Sequence, residues 1–358
     1  VTTTPGPSAA DAPEALLAVA GPVEARLAEL LDQERSRWAA VDRDLIAPLD
    51  TLTRFVLNGG KRLRPAFCHW AYVGAGGEPD DDLVIDAGAA FELLHAFALV
   101  HDDVMDGSAT RRGERTVHLE FEDLHHTHEW RGESRRFGEG VAILVGDLAD
   151  VYADRLMGAT PPPTFAMWSE LKIELNVGQY LDVLGTARPG TDLATAHRIA
   201  RYKSGKYTIE RPLHVGAALS GRYDELHESL SDYGAPLGEA FQLRDDILGV
   251  FGDAARTGKP VGDDLREGKP TPLLATAVQW ASATDQALLD RVGAVDLADD
   301  EVEALQQVLV DTGAKAHIEA TIGDLTDVAL HTLERSPLRP EAISALTDLA
   351  HYVAARDL

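Results

Sequence analysis

An all-α fold is what this sequence predicts, and three observations carry the expectation. Apolar residues recur at helical spacing, as in Val23, Leu27, Leu30 and Leu31 at i, i+4, i+7 and i+8. A long, Ala-rich apolar stretch runs from Leu83 to Met105. Clear period-two strand patterns are absent. Taken in order, Val141–Met157, Thr164–Leu184, Ala194–Ser220 and Ser231–Phe251 read as further helices. Pro161, Pro162 and Pro163 mark a break, as do the Gly and Pro residues from Gly252 to Pro272. Asp80, Asp81 and Asp82 follow Gly76, Gly77 and Pro79 and read as a helix-start cap. His125–Arg136 (HHTHEWRGESRR) reads as a polar loop, its histidines solvated rather than metal-bound. From Asp299 onward the helices carry no legible chemistry.

The chain of 358 residues is long enough for one large domain or two small ones. The expectation is a disordered tail over 1–14, polar and Pro-rich, and a single all-α domain over 15–358. Hydrophobic content of 45% supports a sizeable core. No uninterrupted apolar run reaches the ~18 residues of a membrane span, so none is expected. Cys68 is the only cysteine, which excludes an internal disulfide and suits a reducing, cytoplasmic setting. The net charge of −26 argues against nucleic acid and anionic membrane surfaces as partners.

The segment His101–Arg112 (HDDVMDGSATRR) is the most informative. It sets Asp102, Asp103 and Asp106 ahead of Arg111 and Arg112. On a helix Asp102 and Asp106 share a face, with Asp103 beside them. Such carboxylates repel one another unless a cation sits between them. Oxygen-only ligands favour Mg²⁺, which completes its shell with water and phosphate oxygens, while arginines grip phosphate through forked donors. Alone, the pattern fits a solvated acidic helix face equally well. A second run, FQLRDDILGVFGD, places Gln242, Asp245, Asp246 and Asp253 among apolar Phe241, Leu243, Ile247, Leu248, Val250 and Phe251. A buried carboxylate pair is costly without a counter-charge, so this run reads as functional. GGKRLRP (Gly59–Pro65) sets Lys61, Arg62 and Arg64 beside glycines that let a ligand approach the backbone, with Pro65 suited to a helix's first turn. On so acidic a chain, an anionic ligand must be met by local Lys and Arg groups, or arrive with Mg²⁺.

With these residues in view, the chain resembles the trans-isoprenyl diphosphate synthases of the polyprenyl synthetase family. The resemblance spans roughly Arg54 to Leu274 and rests on six motifs in family order. They are GGKRLRP, ELLHAFALVHDDVMDGSATRRG from Glu92, GQYLD (Gly178–Asp182), YKSGKY (Tyr202–Tyr207), FQLRDDILGVFGD, and TGKPVGDDLREGKPT (Thr257–Thr271).

The resemblance implies an isoprenoid synthase fold, with helices around a central catalytic cavity, and a homodimer. It implies three Mg²⁺ ions assembled with diphosphate, with Asp102, Asp103, Asp106, Asp245 and Asp246 as metal residues. Asp102, Asp103, Asp106, Arg111, Lys203 and Asp245 would be catalytic. Isopentenyl diphosphate would meet Gly60, Lys61, Arg64, His95 and Arg112. The allylic diphosphate would meet Arg111, Lys203, Ser204, Gln179, Gln242, Lys259 and Lys269. Gln179 and Asp182 match the family's mid-cavity polar pair, and the Lys- and Gly-rich segment Thr257–Pro270 suits a lid. Helix geometry puts His95 two turns before Asp102 on nearly the same face. Phe97 and Ala98, an aromatic followed by a small residue, resemble the chain-length positions of twenty-carbon synthases. The implied function is chain elongation to geranylgeranyl diphosphate. The alternatives are a farnesyl or longer-chain synthase, a class I terpene cyclase, or a non-catalytic subunit of a heteromeric synthase. One departure stands out: Gly249 occupies the last acidic position of the second motif. Whether Asp253, Asp263 or Asp264 compensates is open at this level. The closing motif is also one residue longer than the shortest family versions.

Overall fold

A computed structural model describes residues 12–188, 193–252 and 261–355, apart from the side chains of Ala200, Tyr202, Lys203 and Ser204. The expected helical periodicity resolves first into α1 (Glu14–Ala39), whose Val19, Val23, Leu27 and Leu31 face inward. A 3-10 turn leads to α2 (Ile46–Leu57), and the glycine-rich turn to α3 (Leu63–Gly74). α4 (Asp82–Asp106) is the anticipated apolar helix. Asp81 caps its start, accepting from the Leu83 amide at 2.9 Å and from the Tyr72 hydroxyl at 2.6 Å. Gly107, in the left-handed conformation, ends it.

A two-residue antiparallel hairpin follows, β1 (Thr110–Arg111) with β2 (Glu114–Arg115), too short for a period-two pattern to register. Next come α5 (Val117–Thr127), α6 (Ser134–Met157) and α7 (Pro162–Ala187). The proline break is thus the start of α7, where a missing amide costs nothing. The expected single helix over Ala194–Ser220 divides into α8 (Leu193–Ala200), a π-helical stretch (Arg201–Glu210) and α9 (Arg211–Leu219). α10 (Tyr223–Phe251) contains Pro236. The chain then forms α11 (Asp263–Glu267), α12 (Pro272–Trp280), α13 (Ala283–Leu289), α14 (Asp299–Asp311), α15 (Ala314–Glu334) and α16 (Pro340–Ala354).

Histidines 125 and 126 do not sit in a loop, contrary to expectation. α5 continues through both, because His125 is buried against Trp130 and Phe137, with ring centroids 6.1 and 5.3 Å away. The aromatic residues hidden in a polar-looking string supply the apolar contact that holds the helix end.

α4 is the central element. Ala87, Gly88, Ala89, Ala90, Phe91, Leu93 and Leu94 are all buried, and α1, α3 and α6 pack around them. Small residues allow the close approach: a side chain at Gly88 would meet Val23 of α1 at 2.8 Å. α4 is long and apolar enough to cross a membrane by composition, but here it is the core of a helical assembly. A second apolar cluster, built on Leu243, Ile247, Leu273, Leu305 and Ile318, gathers around the C-terminal part of α10. α10 therefore joins both cores, its first part in one and its last part, with the second acid pair, in the other. Cys68 is fully buried, and burial pushes its thiol pKa up. Arg62, in the left-handed conformation, is buried with Glu92 and reaches Glu24 at 3.1 Å and the Val56 carbonyl at 2.9 Å. That places Arg62 in the framework and leaves its neighbours for other work.

His214 of α9 contacts Ser231 at 3.0 Å, and burial together with Arg211 lowers its pKa to about 4 from the usual 6.5. Above pH 6.5 the folded and unfolded chains both carry it neutral. As pH falls below that, the unfolded chain takes up a proton that the folded chain refuses until about pH 4, so stability drops across the window. We expect His214 alone to remove about 2 kcal/mol of stability between pH 7 and pH 5. His214→Gln should flatten the pH dependence of the urea midpoint by that amount.

Candidate active site

The last turn of α4 carries Asp102, Asp103 and Asp106, with no basic residue in that turn. The hairpin after Gly107 supplies the cations. Arg111 donates from Nε to Asp103 at 2.7 Å and lies 3.5 Å from Asp102. Asp103 is buried, so this pairing offsets a large desolvation cost. Arg112 turns the other way. Its left-handed backbone (φ 54°) sends the guanidinium to the carbonyls of Asn58 and Gly59, at 3.1 and 3.3 Å. Two adjacent arginines thus serve two separate places.

On the opposite wall, α10 presents Gln242, Asp245 and Asp246. Gln242 donates to Asp246 Oδ1 at 2.7 Å. Asp246 is buried, and its Oδ2 has no hydrogen-bond partner. Burial, with Asp264 and Asp245 nearby, holds its carboxyl well above the usual carboxylate range. Lys269 joins the two acid groups. Its ammonium lies 2.5 Å from Glu267, 3.5 Å from Asp264 and 3.8 Å from Asp106 of α4. Burial works against this charge, but Asp264, Glu267 and Asp106 outweigh it and raise the lysine pKa well above normal.

A third group is cationic. Arg64 donates to Thr208 at 2.9 Å and stacks 4.3 Å over the ring of buried Tyr207. The Tyr207 and His95 rings are 6.2 Å apart. Burial, reinforced by Arg64, Arg112, Arg111 and Arg62, keeps His95 neutral far below its usual pKa, and its Nδ1 is buried without a partner. Gly60, at φ 115°, lies where any side chain would press on Arg62 at 3.0 Å. Lys61 sits 5.9 Å over the ring of Tyr352 on α16. The arrangement is a set of donors around an imidazole, suited to an anion held without metal.

Gln179 reaches across from α7 to donate to Asp102 at 2.8 Å. Asp182, one turn further along α7, is buried. Phe97 packs on His101 with centroids 4.7 Å apart, and His101 reaches the Ile143 carbonyl of α6 at 3.0 Å. Ala98 is partly exposed one turn below Asp102. Lys259, Asp253 and the first part of the expected lid lie outside the described residues, as do the side chains of Lys203 and Ser204. The backbone that carries the last two is the π-helical stretch. Among the described residues no group of three or more His, Cys, Asp or Glu is preassembled around a metal position. The donors do fit Mg²⁺ in kind: all are carboxylate oxygens, and one of them, Asp246 Oδ2, is buried and unsatisfied.

Residues 47–309 match the family model described as polyprenyl synthetase. The chain belongs to the polyprenyl synthetase family. It is 32% identical to a geranylfarnesyl diphosphate synthase from Aeropyrum pernix, over 83% of this chain and 91% of that one. It is 31% identical to a (2E,6E)-farnesyl diphosphate synthase from Mycobacterium bovis, over 84% and 80% of the two chains. The fold matches a geranylgeranyl pyrophosphate synthase from Corynebacterium glutamicum, solved with isoprenyl diphosphate and magnesium. There the TM-score is 0.86 and the identity 36%, covering 94% of this chain and 99% of that one. The all-α isoprenoid synthase fold expected from the motifs is therefore the fold present. The names of these relatives differ in product, so membership of the polyprenyl synthetase family leaves chain length open.

Sequence reasoning missed Glu92, the buried counter-ion of Arg62, and Thr208, the hydrogen-bond partner of Arg64. It also missed Glu267, the nearest partner of Lys269. Glu92 and Glu267 carried a signal, since each lies within a quoted motif, and Thr208 directly follows YKSGKY.

Proposed function

We propose that this chain is a chain-elongating prenyltransferase that joins isopentenyl diphosphate to an allylic diphosphate, 1'-4 and trans, to give geranylgeranyl diphosphate. One observation carries the reading: two facing acid groups bridged by Lys269 stand beside a separate cationic group around His95. A single-substrate cyclase needs the first and not the second. A non-catalytic subunit needs neither.

The allylic diphosphate lies between α4 and α10. Its carbon–oxygen bond breaks, leaving an allylic cation and inorganic diphosphate. Arg111 and Lys269, with Lys203 and Lys259, meet the charge on the leaving oxygens, and Gln242 donates to them. Mg²⁺, held by Asp102, Asp103, Asp106, Asp245 and Asp246, supplies further positive charge for that diphosphate when bound. Isopentenyl diphosphate is gripped by Lys61, Arg64 and Arg112, with Gly60 giving backbone access. Neutral His95 donates a hydrogen bond and orients it. Its alkene attacks the cation, and the proton lost from the adduct goes to the departed diphosphate. Arg111 pairs with buried Asp103 at 2.7 Å and holds that carboxylate in place beside the diphosphate.

The prenyl chain runs from the acid groups along the side of α4 that faces α7. Gln179 of α7 meets Asp102 at one end of that path, and Phe91 meets Trp168 edge-on at the other, with centroids 5.3 Å apart. Ala98 lies on that path. Phe97 leans on His101 toward α6 and shapes the wall. We also infer a homodimer. Leu144 and Val151 of α6, and Ile173, Val177 and Tyr180 of α7, are exposed apolar residues on two helices joined by Lys172 to Asp150 and Asp154. A second copy of the same residues is the self-complementary partner that covers them.

Turnover, product length and assembly state test this. The purified chain alone, given Mg²⁺ and both substrates, should release one diphosphate per five-carbon addition and none from the allylic substrate alone. Lys61→Ala or Arg64→Ala should mainly raise the KM for isopentenyl diphosphate. Asp103→Ala or Asp245→Ala should slow turnover by on the order of a hundredfold or more. A Lys61→Ala effect confined to the allylic substrate would overturn the assignment. For product length, a blocked five-carbon unit forfeits about 4 kcal/mol of burial. Chromatography of dephosphorylated products should therefore show Ala98→Phe shifting output to farnesyl diphosphate and Phe97→Ala lengthening it. Sedimentation equilibrium should give a dimer, and Val177→Asp with Tyr180→Asp a monomer.

A further inference from the structure

Gly249 marks the one gap in the second acid motif, and the structure places another carboxylate over it. Gly249 is four residues after Asp245, on the same face of α10. A Cβ at Gly249 would lie 1.9 Å from Oδ2 of Asp264 and 2.4 Å from its Cγ. The carboxyl group of α11 therefore rests on the bare backbone where a third acid of α10 would begin. α11 is anchored to hold it there. Gly262 starts the helix in the left-handed conformation, pressed against Val302, and Gly268 ends it the same way against Gly293. The Lys269 amide bonds the Asp264 carbonyl at 3.0 Å, and the Lys269 ammonium lies 3.5 Å from the Asp264 carboxylate. Beside this group, Asp246 keeps a buried oxygen without any hydrogen-bond partner. Asp264 of α11 and Asp245 of α10 both act on the charge of Asp246, though among the described residues the three are not gathered around a metal position.

We propose that Asp264 replaces the missing third acid of α10 in holding a divalent cation with diphosphate, and that the absence of a side chain at Gly249 is what lets it fit. The proposal rests on the prenyltransferase reading above, in which Asp245 and Asp246 serve that cation. It predicts a steric coupling that no charge count reveals. Gly249→Ala alters no charge and favours the helix, yet its methyl group displaces Asp264. Asp264→Asn keeps the shape and removes the charge.

Calorimetry with inorganic diphosphate, with and without Mg²⁺, tests this on the full chain. The wild-type chain should bind diphosphate far more tightly with Mg²⁺. Asp264→Asn and Gly249→Ala should each weaken the Mg²⁺-dependent binding by about tenfold or more. Combining them should add little to either alone, and binding in EDTA should stay unchanged. Gly249→Asp in an Asp264→Ala background should recover part of the loss, because it moves the acid back to α10. Circular dichroism and thermal melting confirm that each variant is folded. Wild-type affinity in Asp264→Asn, or losses in the two single variants that simply add, would overturn the inference while leaving the prenyltransferase reading intact. A wild-type chain whose diphosphate binding ignores Mg²⁺ would overturn the reading itself.

Discussion

Electrostatic crowding at the C-terminal end of α4 is the constraint on which the rest of the structure depends. Helix carbonyls there already present partial negative charge, and three carboxylates in the last turn add to it. One of them, Asp103, is buried. Facing it, α10 brings a buried carboxyl of its own at Asp246. No isolated helix would be stable with this arrangement. The fold answers with Arg111 from the hairpin, set against Asp102 and Asp103 of α4, and Lys269 from beyond α11, set between Asp106 of α4 and the acids of α11. The balance is local, with each cation held against carboxylates it contacts directly.

The same economy separates the acid-lined group from the cationic group around His95. Arg111 and Arg112 are neighbours in sequence, yet one faces carboxylates and the other the carbonyls of the glycine-rich turn. A left-handed residue at position 112 produces the divergence. Arg62 is similarly withdrawn from its neighbours Lys61 and Arg64 by Glu92, so a run of three cations becomes one framework residue and two that can meet a ligand. His95 stays neutral because it is buried and, in addition, because cations surround it, which keeps it a hydrogen-bond donor and not a competing charge.

Backbone proximity does much of the remaining positioning. The π-helical stretch approaches α10 closely because Gly205 meets Gly238. A Cβ on Gly238 would lie 2.6 Å from the Gly205 carbonyl oxygen. A wide helical turn of this kind changes where successive side chains point, and such turns recur at functional sites. Gly146 plays a related part on α6, where it makes room for the His101 ring that supports Phe97.

The sequence by itself determined the helical class, the placement of α4 and α10, and the family, because helical periodicity and acid or glycine spacing are local properties that short-range geometry enforces. Asp102 and Asp106 share a face in any helix, and Asp81 caps one wherever it stands. His125 was misread for the converse reason: its burial depends on Trp130 and Phe137 folding back upon it. Tertiary structure alone decided which charges meet. Lys269 with Asp106, Arg64 with Thr208, and Asp264 over Gly249 join residues from separate elements. Such pairings depend on how whole helices pack, and packing is set by summed apolar burial across the core, which no single motif encodes.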